Sequence, residues 1–186
     1  MASLTLTGDT SGQVTLAAPA VAGTNTLTLP ALTGTVLTNK TAGTVLQVVS
    51  ATLTTSTSST STTDVSIGLS ASITPSSASS KIFVMYNLQG STTNSFNATL
   101  YRGASTICTN TSSPSLRAVT SSFVPSTAGV SCLVTQSQNF LDSPATTSAT
   151  TYEVKCNTNA GTFYVNRNDG TSFGSTSTIT LMEIAA

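Results

Sequence analysis

More than a third of this chain is Ser or Thr, and along most of its length those hydroxyl residues alternate with single apolar ones. A period of two puts successive side chains on opposite faces of a strand, so the pattern predicts half-buried β-strands and not helix. The opening residues carry it clearly: Leu4 and Leu6, Val14 and Leu16, Leu27 and Leu29, then Leu32 and Val36. Gly8 to Gly12 supplies a turn between the first two runs, and Pro19, Gly23, Asn25, Pro30 and Gly34 punctuate the rest. About 40 residues of this kind cannot bury enough apolar surface alone, because so short a segment relies on disulfides, metals or neighbouring chains. Leu4, Leu6, Val14, Leu16, Leu27, Leu29 and Val36 are therefore the candidate core of an attachment segment that other chains cover.

A joint at Lys40 to Gly43 divides residues 1–40 from a second region, 44–186. That region opens on a β-branched run, 44–49, typical of a core strand. Residues 52–63, nearly all Ser and Thr, read either as a loop or as a strand whose hydroxyls face water, and the favoured reading is an exposed loop leading into a short strand over 64–69. Further strands are expected over 81–89, 95–102, 105–108, 115–120, 129–138, 150–157, 162–166 and 175–184, a spacing that predicts a β-sandwich or barrel. Nowhere is there an apolar helical stripe with caps, so almost no helix is expected.

Six basic and six acidic residues cancel, and His is absent. Charges standing singly give no cluster to neutralise phosphates, which excludes nucleic acid as a partner. The longest apolar stretches, such as 82–86, fall far short of the roughly 20 residues that cross a bilayer. The amino end lacks a basic segment followed by an apolar one, so synthesis in a cytoplasm is expected. Without His there is no Ser-His-Asp or Cys-His arrangement and no imidazole metal ligand. Lys40, Lys81 and Lys155 all read as solvated. Six dispersed acids leave paired-carboxylate hydrolysis only where Asp142, Glu153, Asp169 or Glu183 meet across a subunit interface. Arg167-Asn168-Asp169-Gly170 has one acid where a calcium loop needs several, so it reads as a β-turn whose polar groups are the candidate exposed-loop contact. No catalytic, cofactor-binding or metal residue is assigned, and no cofactor is expected. The sequons at Asn39, Asn97 and Asn110 are no more frequent than chance in so hydroxyl-rich a chain. The hydroxyl ladders at Thr24, Thr26 and Thr28 and at Thr176, Thr178 and Thr180 lack the fixed repeat of an ice-binding face. Tyr152 and Phe83 read as core.

Cys132 and Cys156 are equidistant from Pro144. An unbulged hairpin centred there would set them opposite each other, both inward, as either a disulfide or two buried thiols. Cys108 has no evident mate.

The wording of residues 12–30 and 34–37 resembles the amino-terminal segment of tailed-bacteriophage fibre and virion structural proteins, notably of aquatic phages. Residues 43–49, 70–77, 80–84, 100–107 and 179–184 resemble a domain found in the same company. The resemblance implies an all-β fold: an antiparallel jelly-roll β-sandwich, similar in plan to tumour-necrosis-factor or complement-type heads, on an extended β-rich attachment segment. It further implies a homotrimer, a place in the virion after assembly in the host cytoplasm, and no enzyme activity. Its partners would be baseplate or tail proteins for a short tail fibre, with a host surface glycan or protein at the exposed loops. The alternative is a capsid decoration or cement protein on the major capsid protein. A host-glycan hydrolase with an interfacial acid pair is the third reading.

Overall fold

Hydroxyl and apolar alternation becomes strand pairing almost throughout a computed structural model that describes residues 3–7, 11–17, 20, 21, 23, 24, 41–110, 118–125, 132–169 and 174–186. Among the described residues there is no helix. The strands are β1 (Ser3–Thr7), β2 (Gln13–Ala17), β3 (Val45–Leu53), β4 (Thr57–Ser59), β5 (Val65–Ile73), β6 (Lys81–Thr92) and β7 (Phe96–Arg102). They continue with β8 (Ser105–Ile107), β9 (Ser121–Phe123), β10 (Val134–Asp142), β11 (Thr150–Asn157), β12 (Phe163–Val165) and β13 (Ser177–Ile184).

The chain separates into two units, Met1–Val36 and Leu37–Ala186. In the first, β1 and β2 form an antiparallel hairpin with Leu4 opposite Leu16 and Leu6 opposite Val14. Leu6 is 54% exposed and Val21 91% exposed. The side chains of Leu4, Val14 and Leu16, and all of Leu27, Leu29 and Val36, lie outside the described residues.

The second unit is a sandwich of two antiparallel sheets. One runs β3-β13-β6-β12-β4 with β10 on the other side of β6; the second runs β5-β11-β7-β8 with β9 also on β7. Following the chain through β3, β5, β6, β7, β10, β11 and β13, each successive strand lies in the opposite sheet. That alternation is the jelly-roll order. Inward positions recur at every second residue: Ile67, Leu69, Ala71 and Ile73 on β5 meet Ile82, Val84, Tyr86 and Leu88 on β6. Phe96 and Phe163 stack with ring centroids 5.5 Å apart. Gly90 lies beneath them, where an added Cβ would come within 2.4 Å of the Tyr164 carbonyl and 2.5 Å of the Phe96 ring. The joint is tied to the last strand, the Gly43 N–H donating to the Ala185 carbonyl at 2.8 Å and the Ala185 N–H to that of Thr44 at 2.9 Å.

Four expectations are corrected. The proposed hairpin does not exist: β10 pairs with β6, while β11 pairs with β5 and β7 in the other sheet. Equal spacing about Pro144 is common to a hairpin and a sandwich crossover, and the crossover buries both inward faces. Cys132 is exposed, Cys156 is fully buried, and Cys108, Cys132 and Cys156 are all free thiols. Residues 52–63 are no single loop, because β3 runs to Leu53 and β4 returns at Thr57–Ser59 as partner of β12. The strand expected over 115–120 sits instead at Ser121–Phe123; residues 115–117 lie outside those described. Tyr152 is core, but Phe83 faces outward from β6 and is half-buried.

Candidate functional site

At the joint end, the inward row of the first sheet changes from apolar to charged. Register sets Gln47 beside Glu183, Glu183 beside Ile82, and Ile82 beside Asp142. Two strand spacings place the acids roughly 10 Å apart in one row. Each is taken up by donors of its own. Asp142, 6% exposed, accepts 2.9 and 2.8 Å bonds from Arg102 Nη1 and a 2.7 Å bond from the Tyr152 hydroxyl. Arg102 and Tyr152 are register neighbours on β7 and β11, so this triad ties one sheet to the other and closes the end of the core. Burial first, then the bond to the carboxylate, push the Tyr152 hydroxyl pKa well up, keeping it a donor.

Glu183, fully buried, accepts from Gln47 Nε2 at 2.6 Å and from both the backbone N–H and hydroxyl of Ser76 at 2.7 Å. It thereby fastens β3 and β13 to the serine-rich β5–β6 connection. Burial alone would raise its pKa, but the donors from Gln47, Ser76 and Ser80 outweigh burial and hold it down at about 2, below the ordinary 4.5. The folded carboxyl therefore takes up a proton less readily than the unfolded one. Its stabilisation is full above pH 4.5 and is lost as pH falls toward about 2. The melting-temperature gap between wild type and Glu183→Gln is expected to be widest at neutral pH and to shrink across that window. A gap that stays constant as the acid is titrated counts against this assignment.

The outward face of the same sheet is divided. One row runs Val48, Met182, Phe83, Leu141 across four strands. Val48 is 55% and Leu141 53% exposed, and Phe83 and Met182 are half-buried. Val45, 49% exposed, and Ile184 extend the apolar area toward the joint. Toward the other end the rows become hydroxyl and amide: Ser50, Thr180, Met85 and Asn139, then Thr52, Thr178, Asn87 and Ser137.

The loop after β12 lies at the end of the sandwich opposite the joint. It is braced by Asn166, buried and left-handed at φ 57°, whose Nδ2 donates to the Leu53 and Thr55 carbonyls and whose Oδ1 accepts from Ser177 Oγ at 2.6 Å. Arg167 pairs with Gly174, and Gly170, the last residue of the expected four-residue turn, lies outside those described. The Arg167 guanidinium stacks 4.7 Å from the Tyr164 ring and donates to Ser58 Oγ, Asn168 is half-buried and Asp169 is exposed. Of the lysines expected to be solvated, Lys155 lies 4.4 Å over the Tyr101 ring and 3.7 Å from Glu153, and Lys81 donates to Ser143 Oγ at 2.7 Å. Asn97 is buried and bonded to Asn157, so the folded chain does not present that sequon. Sequence reading missed the Arg102–Asp142–Tyr152 triad. Its signal is a charge of each sign at an inward parity position, Arg102 two residues after Leu100 and Asp142 two after Phe140.

No family model matches the chain, and no curated protein is similar to it. Among solved structures, the chain is similar to one from the structure of infectious bursal disease virus Gx strain, with 18% identity and a TM-score of 0.31. The likeness covers 98% of this chain and 46% of that one, so this chain spans less than half the viral chain's length.

Proposed function

We propose that this chain is a non-enzymatic structural protein of a bacteriophage virion: a short homotrimeric tail fibre, anchored by residues 1–40, that displays the β-sandwich. The observation that carries it is the outward row Val48–Met182–Phe83–Leu141, an apolar strip on a sheet face whose neighbouring rows are mostly hydroxyl and amide. Sister copies related by a closed rotation bury such a row, and three copies follow from the fibre resemblance. The exposed Leu6 of the arm calls for the same kind of cover. Arg167, Asn168 and Asp169, at the end away from the joint, are the natural contact with a host glycan or protein. Asp142 and Glu183 support the non-enzymatic reading because internal donors already occupy both carboxylates.

Light scattering on the purified chain tests the assembly. A mass three times that of the 18.8 kDa chain is expected, and Val48→Glu with Leu141→Glu should give folded monomers. A monomeric wild type at micromolar concentration overturns the trimer. Electron microscopy of particles carrying the protein tests its place: copies at the tail are expected, and copies spread over the capsid replace the fibre with a decoration protein.

A further inference from the structure

Six of the residues lining a depression of about 310 Å³ beside the Arg102–Asp142–Tyr152 triad are Arg102, Gly103, Thr146, Ala149, Thr150 and Thr151. Its floor holds a guanidinium used along one edge. The three hydrogen bonds that Arg102 makes to the described residues, two to Asp142 and one to the Ser143 carbonyl, leave from Nη1. The side chain is 32% exposed and lines the depression, and Nη2 and Nε make no hydrogen bond to the described residues. A guanidinium edge with two parallel N–H groups matches a carboxylate.

Charge favours the same ligand. Two cations converge on Ser143, Arg102 at its carbonyl and Lys81 at its hydroxyl, and Asp142 is the carboxylate bonded to Arg102. Over these three groups the sum is one positive charge; Glu183, about 10 Å from Asp142 in the same row, is taken up by its own donors, Gln47 and Ser76. Around the depression stand three threonines, each held by one internal hydrogen bond: Thr146 Oγ1 accepts from the Ser148 N–H, Thr150 Oγ1 donates to the Ser148 carbonyl, and Thr151 Oγ1 bonds the Ser72 hydroxyl. A hydroxyl has one donor and two acceptor positions, so each keeps capacity for a sugar hydroxyl. Between the lining residues Pro144 and Thr146, Ala145 holds φ at 52°, a left-handed conformation that costs a non-glycine residue energy.

We propose that this depression binds the carboxylate of a sugar acid, with Arg102 Nη2 and Nε on the carboxylate and the threonines on the sugar hydroxyls. The volume lies at the lower end of ligand sites, about 300 Å³, which fits a single residue of a uronic acid and not an extended chain. It lies at the joint end, away from Arg167, and is therefore a second ligand position distinct from the tip. The site is complete within one chain, so its test does not depend on the trimer.

Glucuronate, glucose and inorganic phosphate are titrated into the full-length protein and followed by backbone amide chemical shifts. Glucuronate is expected to saturate in the millimolar range with shifts at Gly103, Thr146 and Thr150, glucose to bind at least tenfold more weakly, and phosphate to leave those amides unmoved. Ala149 is exposed, so substitution there spares the fold. Ala149→Glu, which sets a competing carboxylate at the mouth, should weaken glucuronate at least tenfold, while Thr57→Glu, which adds the same charge at an exposed position on β4 outside the depression, should not. Equal binding of glucose overturns carboxylate recognition, equal binding of phosphate overturns the sugar, and no saturable glucuronate binding overturns the site.

Discussion

Asp142→Ala is expected to destabilise the sandwich by about 3 to 5 kcal/mol, the cost of removing one partner from a buried ionic cluster. The substitution strips Tyr152, which is fully buried, of its acceptor and leaves Arg102 without its ion-pair partner. Arg102 is partly exposed and rehydrates, so most of the loss belongs to the stranded tyrosine hydroxyl and the broken tie between sheets. Against a domain stability of about 5 to 15 kcal/mol, that is enough to bring unfolding close to ambient temperature. Urea denaturation provides the measurement. Asp142→Asn, which keeps an acceptor for Tyr152, should lose less, and adding Tyr152→Phe to Asp142→Ala should recover part of the difference. A loss below about 1 kcal/mol for Asp142→Ala would show that the cluster closes the sandwich without stabilising it.

Gly90→Ala should cost a similar amount for a different reason. A methyl group there meets the Tyr164 carbonyl at 2.4 Å and the Phe96 ring at 2.5 Å. The carbonyl belongs to β12, which pairs with β6 at this point, so one obstacle is backbone held in a ladder. Phe96 is pinned in turn by its stack on Phe163. Overpacking of a tight core costs about 1 to 3 kcal/mol, and an immovable neighbour puts this site at the upper end. A Gly68→Ala control separates sterics from conformation. Gly68 lies at φ +85° but its added Cβ would meet nothing closer than 3.6 Å, so it should lose only about 1 kcal/mol. Equal melting temperatures for Gly90→Ala and wild type would refute the packing drawn here.

Alternation made the strands readable because this chain keeps period two with few lapses. Thr150–Asn157 was legible to the residue, since Tyr152, Val154 and Cys156 share one parity and polar residues the other. Partnership was not legible, because a jelly roll sends each strand to the sheet opposite its predecessor, and spacing about Pro144 is blind to that choice. The outward position of Phe83 was obscured for a related reason. Ile82 to Tyr86 is apolar at both parities, which removes the contrast that tells inside from outside. The same unbroken run is itself a signal of a strand covered on both faces. The triad could not be read because Arg102 and Asp142 are brought together only by the crossing of sheets. Asn166 read as the end of the strand expected over 162–166, whereas its left-handed backbone and its bonds to Leu53 and Thr55 give it the work of bracing the tip.

The paired bonds between Gly43, Thr44 and Ala185 make the entrance and exit of the sandwich neighbours. A short linker could therefore join Ala186 back to the joint, and fresh ends opened at the far turn near Ala160 would yield a circularly permuted head. In that rearranged molecule the passenger sequence that now emerges beside the last strand would instead leave from the opposite pole.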